Sequence, residues 1–136
     1  MDERRIERPE LLAPLVLAYI GDSIYEVFIR ERLIDIHPDM PVYKLHKEAI
    51  KYVKAHAQSN SVLALEKELT EKELAIFKRG RNAKSQTVPK NADVADYRRA
   101  TGFEALVGYL YLSGENERLR KIMEMAFSEA FDKKTV

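Results

Sequence analysis

The chain has 136 residues, of which 46% are hydrophobic, and its formal net charge is +1. This length and apolar content can bury one sizeable core, so we expect a single domain over residues 1–136 with its core at about 10–131. The absence of cysteine excludes a disulfide framework and a thiolate zinc site. The N-terminus lacks the apolar segment of a signal peptide, and charges interrupt the apolar stretch of residues 11–34 too often for a membrane span. The sequence therefore predicts a cytoplasmic protein without a membrane partner.

Prolines in the first half of the chain predict two helices separated by a loop. The first helix begins at Pro9 or Pro14, because proline is tolerated in the first helical turn, and the sequence leaves this choice open. It ends near Leu33, and a loop with two prolines follows over residues 35–41. The second helix then covers about residues 42–57.

Capping residues in the second half of the chain predict three further helices. Residues 70–73 (TEKE) have the form of a capping box and open a helix that is expected to stop at Gly80. A loop over residues 80–92 follows. Asp93 can cap a long helix that ends near Gly114, and a last helix is expected over residues 116–131. No alternating pattern is long enough for a convincing strand, so the fold class is all-α.

The aspartate at position 22 lies in the apolar first helix, directly after Gly21. An ionised carboxylate that is buried among apolar residues is costly unless a cation or strong donors meet it. We therefore predict that Asp22 is a buried metal ligand. Glu104 follows 82 residues later and would come from a different helix that could cross the first one in the core. Gly21 and Gly102 would let the two backbones approach, although glycine costs about 1 kcal/mol in a helix interior.

Two segments of the chain resemble the ribonuclease III family. Residues 17–26 (LAYIGDSIYE) resemble its signature helix, in which a Gly-Asp pair follows hydrophobic residues, and residues 103–108 (FEALVG) resemble its other acidic helix. The most similar form is the Mini-ribonuclease III group, which lacks a double-stranded-RNA-binding domain. The resemblance implies a helical, homodimeric endonuclease domain in which Asp22 and Glu104 are the catalytic and metal-ligating residues. For Glu104 alone, an arginine partner or a helix cap remains the simpler interpretation.

The resemblance also implies a cofactor, a substrate and partners. The cofactor would be Mg2+, with Mn2+ as a substitute, because a hard divalent ion bound by oxygen ligands can activate water and stabilise charge on a phosphate. The implied reaction is cleavage of double-stranded RNA during maturation of the large-subunit (23S) ribosomal RNA precursor. A ribosomal protein or a ribosomal particle is a further partner that the resemblance suggests.

Three positions depart from the family's pattern. The family usually carries acids where this chain has Leu15, Ala18 and Thr101, so a full two-metal carboxylate cluster is not expected. Mg2+ would complete its octahedron with waters and phosphate oxygens. Glu26 could act through a water, but a surface salt bridge is the simpler interpretation. The missing acids leave open an alternative function, a catalytically silent RNA-binding or ribosome-associated module.

Two groups of basic residues predict the surface that holds RNA. The first shares one face of the second helix and consists of Lys44, Lys47, Lys51 and Lys54. The second comes from residues 78–92, which contain no acid, and consists of Arg79, Arg81, Lys84 and Lys90. Clustered cations repel one another without an anionic partner, and the phosphates of an A-form duplex supply one. A solvated helix face and a solvated loop are the alternatives.

The start of the first helix predicts self-association. Residues 11–20 are apolar on nearly all sides, and a domain of this size rarely buries a helix completely. We therefore expect part of this surface to face a second copy, and the family resemblance places this helix near the two-fold axis.

Overall fold

The computed structural model of the protein describes residues 6–84, 88–90 and 92–135. The all-α prediction is confirmed, since this described part contains six α-helices, two short 3-10 turns and no strand. The predicted loop of residues 80–92 lies outside the described residues at 85–87 and 91. The helices are α1 (Pro14–Ile36), α2 (Val42–Val53), α3 (Ala55–Leu65), α4 (Glu71–Asn82), α5 (Val94–Leu112) and α6 (Asn116–Thr135), and the turns are Pro9–Leu11 and Glu66–Glu68.

The centre of the fold is α5, around which α1, α3 and α4 pack. Every residue from Ala105 to Leu110 is buried, which means that this part of α5 is covered on all sides. Each large apolar side chain buried here contributes about 1.5–3 kcal/mol. The core side chains with the lowest exposure include Leu17, Tyr25, Ile29, Leu33, Tyr52, Phe77, Phe103, Leu106 and Ile122.

Glycines bring the backbones of α1 and α5 into direct contact. A Cβ atom on Gly21 would lie 1.8 Å from the carbonyl oxygen of Glu104 and 2.8 Å from the amide nitrogen of Gly108, so the close approach predicted at Gly21 is confirmed. Gly102 instead faces α4, where a Cβ atom would lie 2.6 Å from the carbonyl oxygen of Phe77. The prediction that Gly102 serves the same crossing is therefore wrong, because Gly102 and Gly108 lie on different sides of α5.

Several helix starts coincide with the predicted caps. The Thr70 hydroxyl accepts a hydrogen bond from the Glu73 amide at 3.1 Å, and the Glu73 carboxylate accepts one from the Thr70 amide at 2.9 Å. The Asp93 carboxylate accepts a hydrogen bond from the Asp96 amide at 3.0 Å. The long first helix begins at Pro14 rather than at the earlier proline, which opens a 3-10 turn.

Three predicted helix ends are wrong. Helix α6 ends at Thr135, four residues after the predicted end at residue 131. The second helix ends at Val53 rather than at residue 57, because Lys54 has an extended backbone (φ −65°, ψ 154°), and the unpredicted α3 begins at the next residue. Helix α4 continues past Gly80 to Asn82. Gly80 is a contact with α5, since a Cβ atom there would lie 2.8 Å from the Cβ atom of Ala105. Within the described residues, no helix has the length and apolar character needed to cross a membrane.

Candidate active site and metal centre

The two candidate acids meet where α1 crosses α5. The pKa of Glu104 is raised to about 8, mainly because its carboxyl group is buried and then because the negative charge of Asp22 lies beside it. Asp22 itself is exposed, so the prediction that it is buried is wrong. Its neighbour Gly21 turns toward α5, and the next position of the helix faces solvent at the edge of the crossing. The half-buried acid of the pair is Glu104.

This pair is a donor set that fits a divalent cation. Two adjacent carboxylates repel each other when both are ionised, and a cation between them removes that cost. Oxygen ligands of this kind suit Mg2+ and Mn2+. In the part of the chain that the structure describes, no three His, Cys, Asp or Glu side chains are grouped so that they could hold a metal. Waters and substrate oxygens could complete the coordination of a cation held by these two acids.

Two of the three positions that depart from the family's acidic pattern make contacts within the fold. Ala18 is part of the buried core. The Thr101 hydroxyl donates a hydrogen bond to the Tyr97 carbonyl at 3.0 Å within its own helix. Glu26 accepts a hydrogen bond from Arg30 at 2.6 Å, as the salt-bridge interpretation predicts.

A third side chain at this site, Gln58, is not predicted from the sequence. It lies on α3, is 2% exposed, and its Nε2 donates to the Glu104 Oε2 at 3.3 Å and to the Val53 carbonyl at 2.7 Å. No sequence pattern indicated this role, because Gln58 belongs to a polar run (residues 58–61, QSNS) in a segment without a predicted helix.

The four predicted RNA-binding lysines are all exposed, but they do not share one helix. Lys44, Lys47 and Lys51 lie on α2, whereas Lys54 occupies the break between α2 and α3. One of the charges is partly neutralised, since the Lys51 Nζ lies 2.8 Å from the Glu48 Oε2. These four residues are called the lysine face below.

The side chains of the second basic group differ in their burial and in their contacts. The Arg79 guanidinium donates to the carbonyls of Glu10 at 2.8 Å and Leu12 at 3.1 Å, and so holds the segment before α1 against α4. Arg81 is half-buried, and its guanidinium carbon lies 5.7 Å from the centre of the Phe77 ring. Two further members of the group, Lys84 and Lys90, are exposed.

Several known proteins are similar to this chain in sequence or in structure. Residues 15–115 match the family profile of the Ribonuclease III domain. The Mini-ribonuclease 3 of Clostridium tetani is 55% identical over 115 residues, which cover 85% of this chain and 76% of that protein. The Mini-ribonuclease 3 of Symbiobacterium thermophilum is 49% identical over 122 residues, which cover 90% and 93%. A crystal structure of a protein from Fusobacterium nucleatum has a TM-score of 0.78 at 30% identity, covering 87% of this chain and 93% of that one. The chain therefore belongs to the ribonuclease III family of endoribonucleases, within its Mini-ribonuclease 3 group.

Proposed function

We propose that this protein is a Mg2+-dependent endoribonuclease that cleaves double-stranded RNA, with Asp22 and Glu104 as its metal-ligating and catalytic residues. The observation that carries the proposal is the meeting of these two acids from different helices at the α1–α5 crossing. Membership of the ribonuclease III family supports hydrolysis of a phosphodiester bond as the reaction.

Asp22 and Glu104 would have different roles in binding the cation. When bound, Mg2+ would supply a water activated for attack and positive charge for the phosphate. Glu104 is half-buried and its Oε2 accepts a hydrogen bond from Gln58, so it would hold the cation at a constant position. Asp22 is exposed, so it would bind the cation from the side that an RNA phosphate can reach.

RNA would be gripped by the lysine face and by the basic residues around the end of α4. We expect Arg81, Lys84 and Lys90 to contact phosphates, since phosphate contacts supply most of the affinity for a duplex. Arg79 belongs to the predicted set, but its bonds to two backbone carbonyls make us expect its loss to affect stability rather than RNA binding.

A double charge reversal tests this surface. Changing Arg81 and Lys84 to glutamate should weaken duplex binding for every sequence and lower the salt slope by roughly one unit per lost contact. The matched control reverses Lys67 and Lys121, two exposed lysines outside both basic groups. Equal affinity and equal salt dependence in the two double variants would contradict the proposed surface.

A homodimer is supported by an apolar stripe on the outer face of α1. The stripe consists of Val16, Tyr19, Val27 and Ile34, which are 50%, 81%, 56% and 52% exposed. At about 100° per residue these positions lie within about 80° of one another on the helix. A second copy related by a two-fold axis would cover the stripe and present two active sites to the two strands of one duplex. The expected particle has twice the 15.7 kDa mass of the chain.

We further propose that the natural substrate is the precursor of large-subunit (23S) ribosomal RNA in the cytoplasm, free or in a ribosomal particle with its proteins. The family resemblance of the two acidic helices supports this assignment. Cells depleted of the protein should accumulate 23S RNA with extended ends, and the wild-type gene should restore mature ends. Restoration of mature 23S ends by an Asp22→Asn variant would contradict cleavage of this precursor by the proposed site.

The alternative is a catalytically silent RNA-binding module, and the residues Leu15, Ala18 and Thr101 at usually acidic positions favour it. A Mg2+ titration on a long RNA duplex separates the two functions. The proposed enzyme should cleave the duplex only with Mg2+ or Mn2+, and Asp22→Asn should bind the duplex without cleaving it. Duplex binding by the wild type without cleavage at any Mg2+ or Mn2+ concentration would favour the silent module.

A further inference from the structure

We propose that Gln58, on α3, is a positioning residue that orients the Glu104 carboxyl group for metal binding. This inference rests on the proposed metal-dependent function. The site then contains residues from three helices, because Gln58 on α3 joins the acids of α1 and α5.

The break between the helices explains why an amide is needed at position 58. The chain leaves the helical conformation at Lys54, and the last carbonyl groups of a helix then lack partners within that helix. Gln58 Nε2 satisfies one of them by donating to the Val53 carbonyl at 2.7 Å. An amide nitrogen has two hydrogens, so it can also donate to the Glu104 Oε2, which lies 3.3 Å away.

The contact fixes the orientation of the Glu104 carboxyl group. The Gln58 Nε2 lies 3.3 Å from the Glu104 Oε2 and is itself held by the Val53 carbonyl at 2.7 Å. Because this bond occupies one carboxylate oxygen, it limits rotation of the carboxyl group and leaves the other oxygen for a cation. Groups that orient a metal ligand in this way typically change metal affinity or activity by about 10–100-fold when they are removed.

The other end of the amide points to the same role. The Gln58 Oε1 is buried, and no hydrogen-bond donor meets it in the described part of the chain. A buried acceptor without a donor is costly, so a donor brought to this oxygen by a ligand would stabilise the site. Mg2+ keeps several water ligands, and such a water would be a donor suited to this oxygen.

Direct binding of Mn2+ tests the inference without relying on activity. In Gln58→Met, which keeps the length and removes the amide, the Kd for Mn2+ should rise about 10–100-fold. The kcat on an RNA duplex should fall by a similar factor, and the KM for the duplex should change little. The matched control is Ser61→Ala on the same helix, because Ser61 is buried and its hydroxyl donates to the Ala126 carbonyl at 3.0 Å, away from Glu104. This control should bind Mn2+ like the wild type.

A second variant covers the case in which Gln58→Met does not fold. Gln58→Glu keeps the size but places a third carboxylate beside the pair, so the rise in melting temperature on adding Mg2+ should be larger than in the wild type. If Gln58→Met binds Mn2+ with wild-type affinity, the proposed role of Gln58 is wrong. If that variant does not fold, a melting-temperature shift with Mg2+ in Gln58→Glu equal to that of the wild type would overturn the role instead. Asp22→Asn distinguishes this failure from failure of the proposed function: if it too binds Mn2+ normally, the metal site itself is wrong.

Discussion

Replacement of Gly21 by alanine should force α1 and α5 apart. The new Cβ atom would lie 1.8 Å from the Glu104 carbonyl oxygen, whereas real Cβ atoms essentially never come within 3.0 Å of such an atom. The oxygen belongs to the middle of a buried helix and cannot rotate away, so the helices must separate by more than 1 Å. Overpacking of this kind costs about 3 kcal/mol at the upper end of its usual range, and alanine regains up to about 1 kcal/mol over glycine in a helix interior.

The net loss for Gly21→Ala is therefore about 2–3 kcal/mol, and thermal denaturation followed by circular dichroism measures it. An unfolding entropy of about 2.1 cal/mol/K per residue converts this loss into a melting temperature lower by roughly 9 °C. The matched control is Gly114→Ala, in which the new Cβ atom meets no atom within 4 Å and the only strain comes from the φ of +73°. This variant should cost about 1–2 kcal/mol. A Gly21→Ala variant that melts within 2 °C of the wild type would refute the backbone contact.

Three further predictions concern protonation, assembly and Arg79. At pH 7 the metal-free protein should carry a proton on Glu104, whose pKa is about 8. Binding of Mn2+ should therefore release nearly one proton. Equal calorimetric heats of Mn2+ binding in buffers of different ionisation enthalpy would contradict this proton release. Because the folded state then binds more protons than the unfolded state, metal-free stability should fall as pH rises from about 4.5 to 8, and Glu104→Gln should remove this dependence. Tyr19→Glu should convert a dimer into a 15.7 kDa monomer in analytical ultracentrifugation, and a monomeric wild type would contradict the interface. Arg79→Ala should lower the melting temperature and leave the salt slope of duplex binding unchanged; a lower slope would make it a phosphate contact.

Features of the fold that depend on local sequence could be predicted. Thr70 and Asp93 cap helices through bonds to amides three residues away, so their pattern is visible in a short window. The role of Gly80, in contrast, could not be predicted from its local sequence. A glycine near a helix end is typical of a C-terminal cap, but here the contact with Ala105, which is distant in the sequence, decides its role.

The site could be predicted only in part, for the same reason. Asp22 and Glu104 stand out because acids among apolar residues are unusual, yet the exposure of Asp22 depends on how α1 lies against α5. Gln58 could not be found, because its role follows from the break at Lys54 and from Glu104, neither of which its own neighbours in the sequence reveal.

The proposed mechanism requires that Asp22 and Glu104 jointly hold one divalent cation. A Mn2+ binding titration should compare the wild type with Asp22→Asn, Glu104→Gln and the double variant, since both substitutions keep side-chain volume. Each single variant should lose most of the wild-type affinity, and the double variant should bind little worse than either, because both acids bind the same ion. Wild-type affinity in both single variants would contradict it.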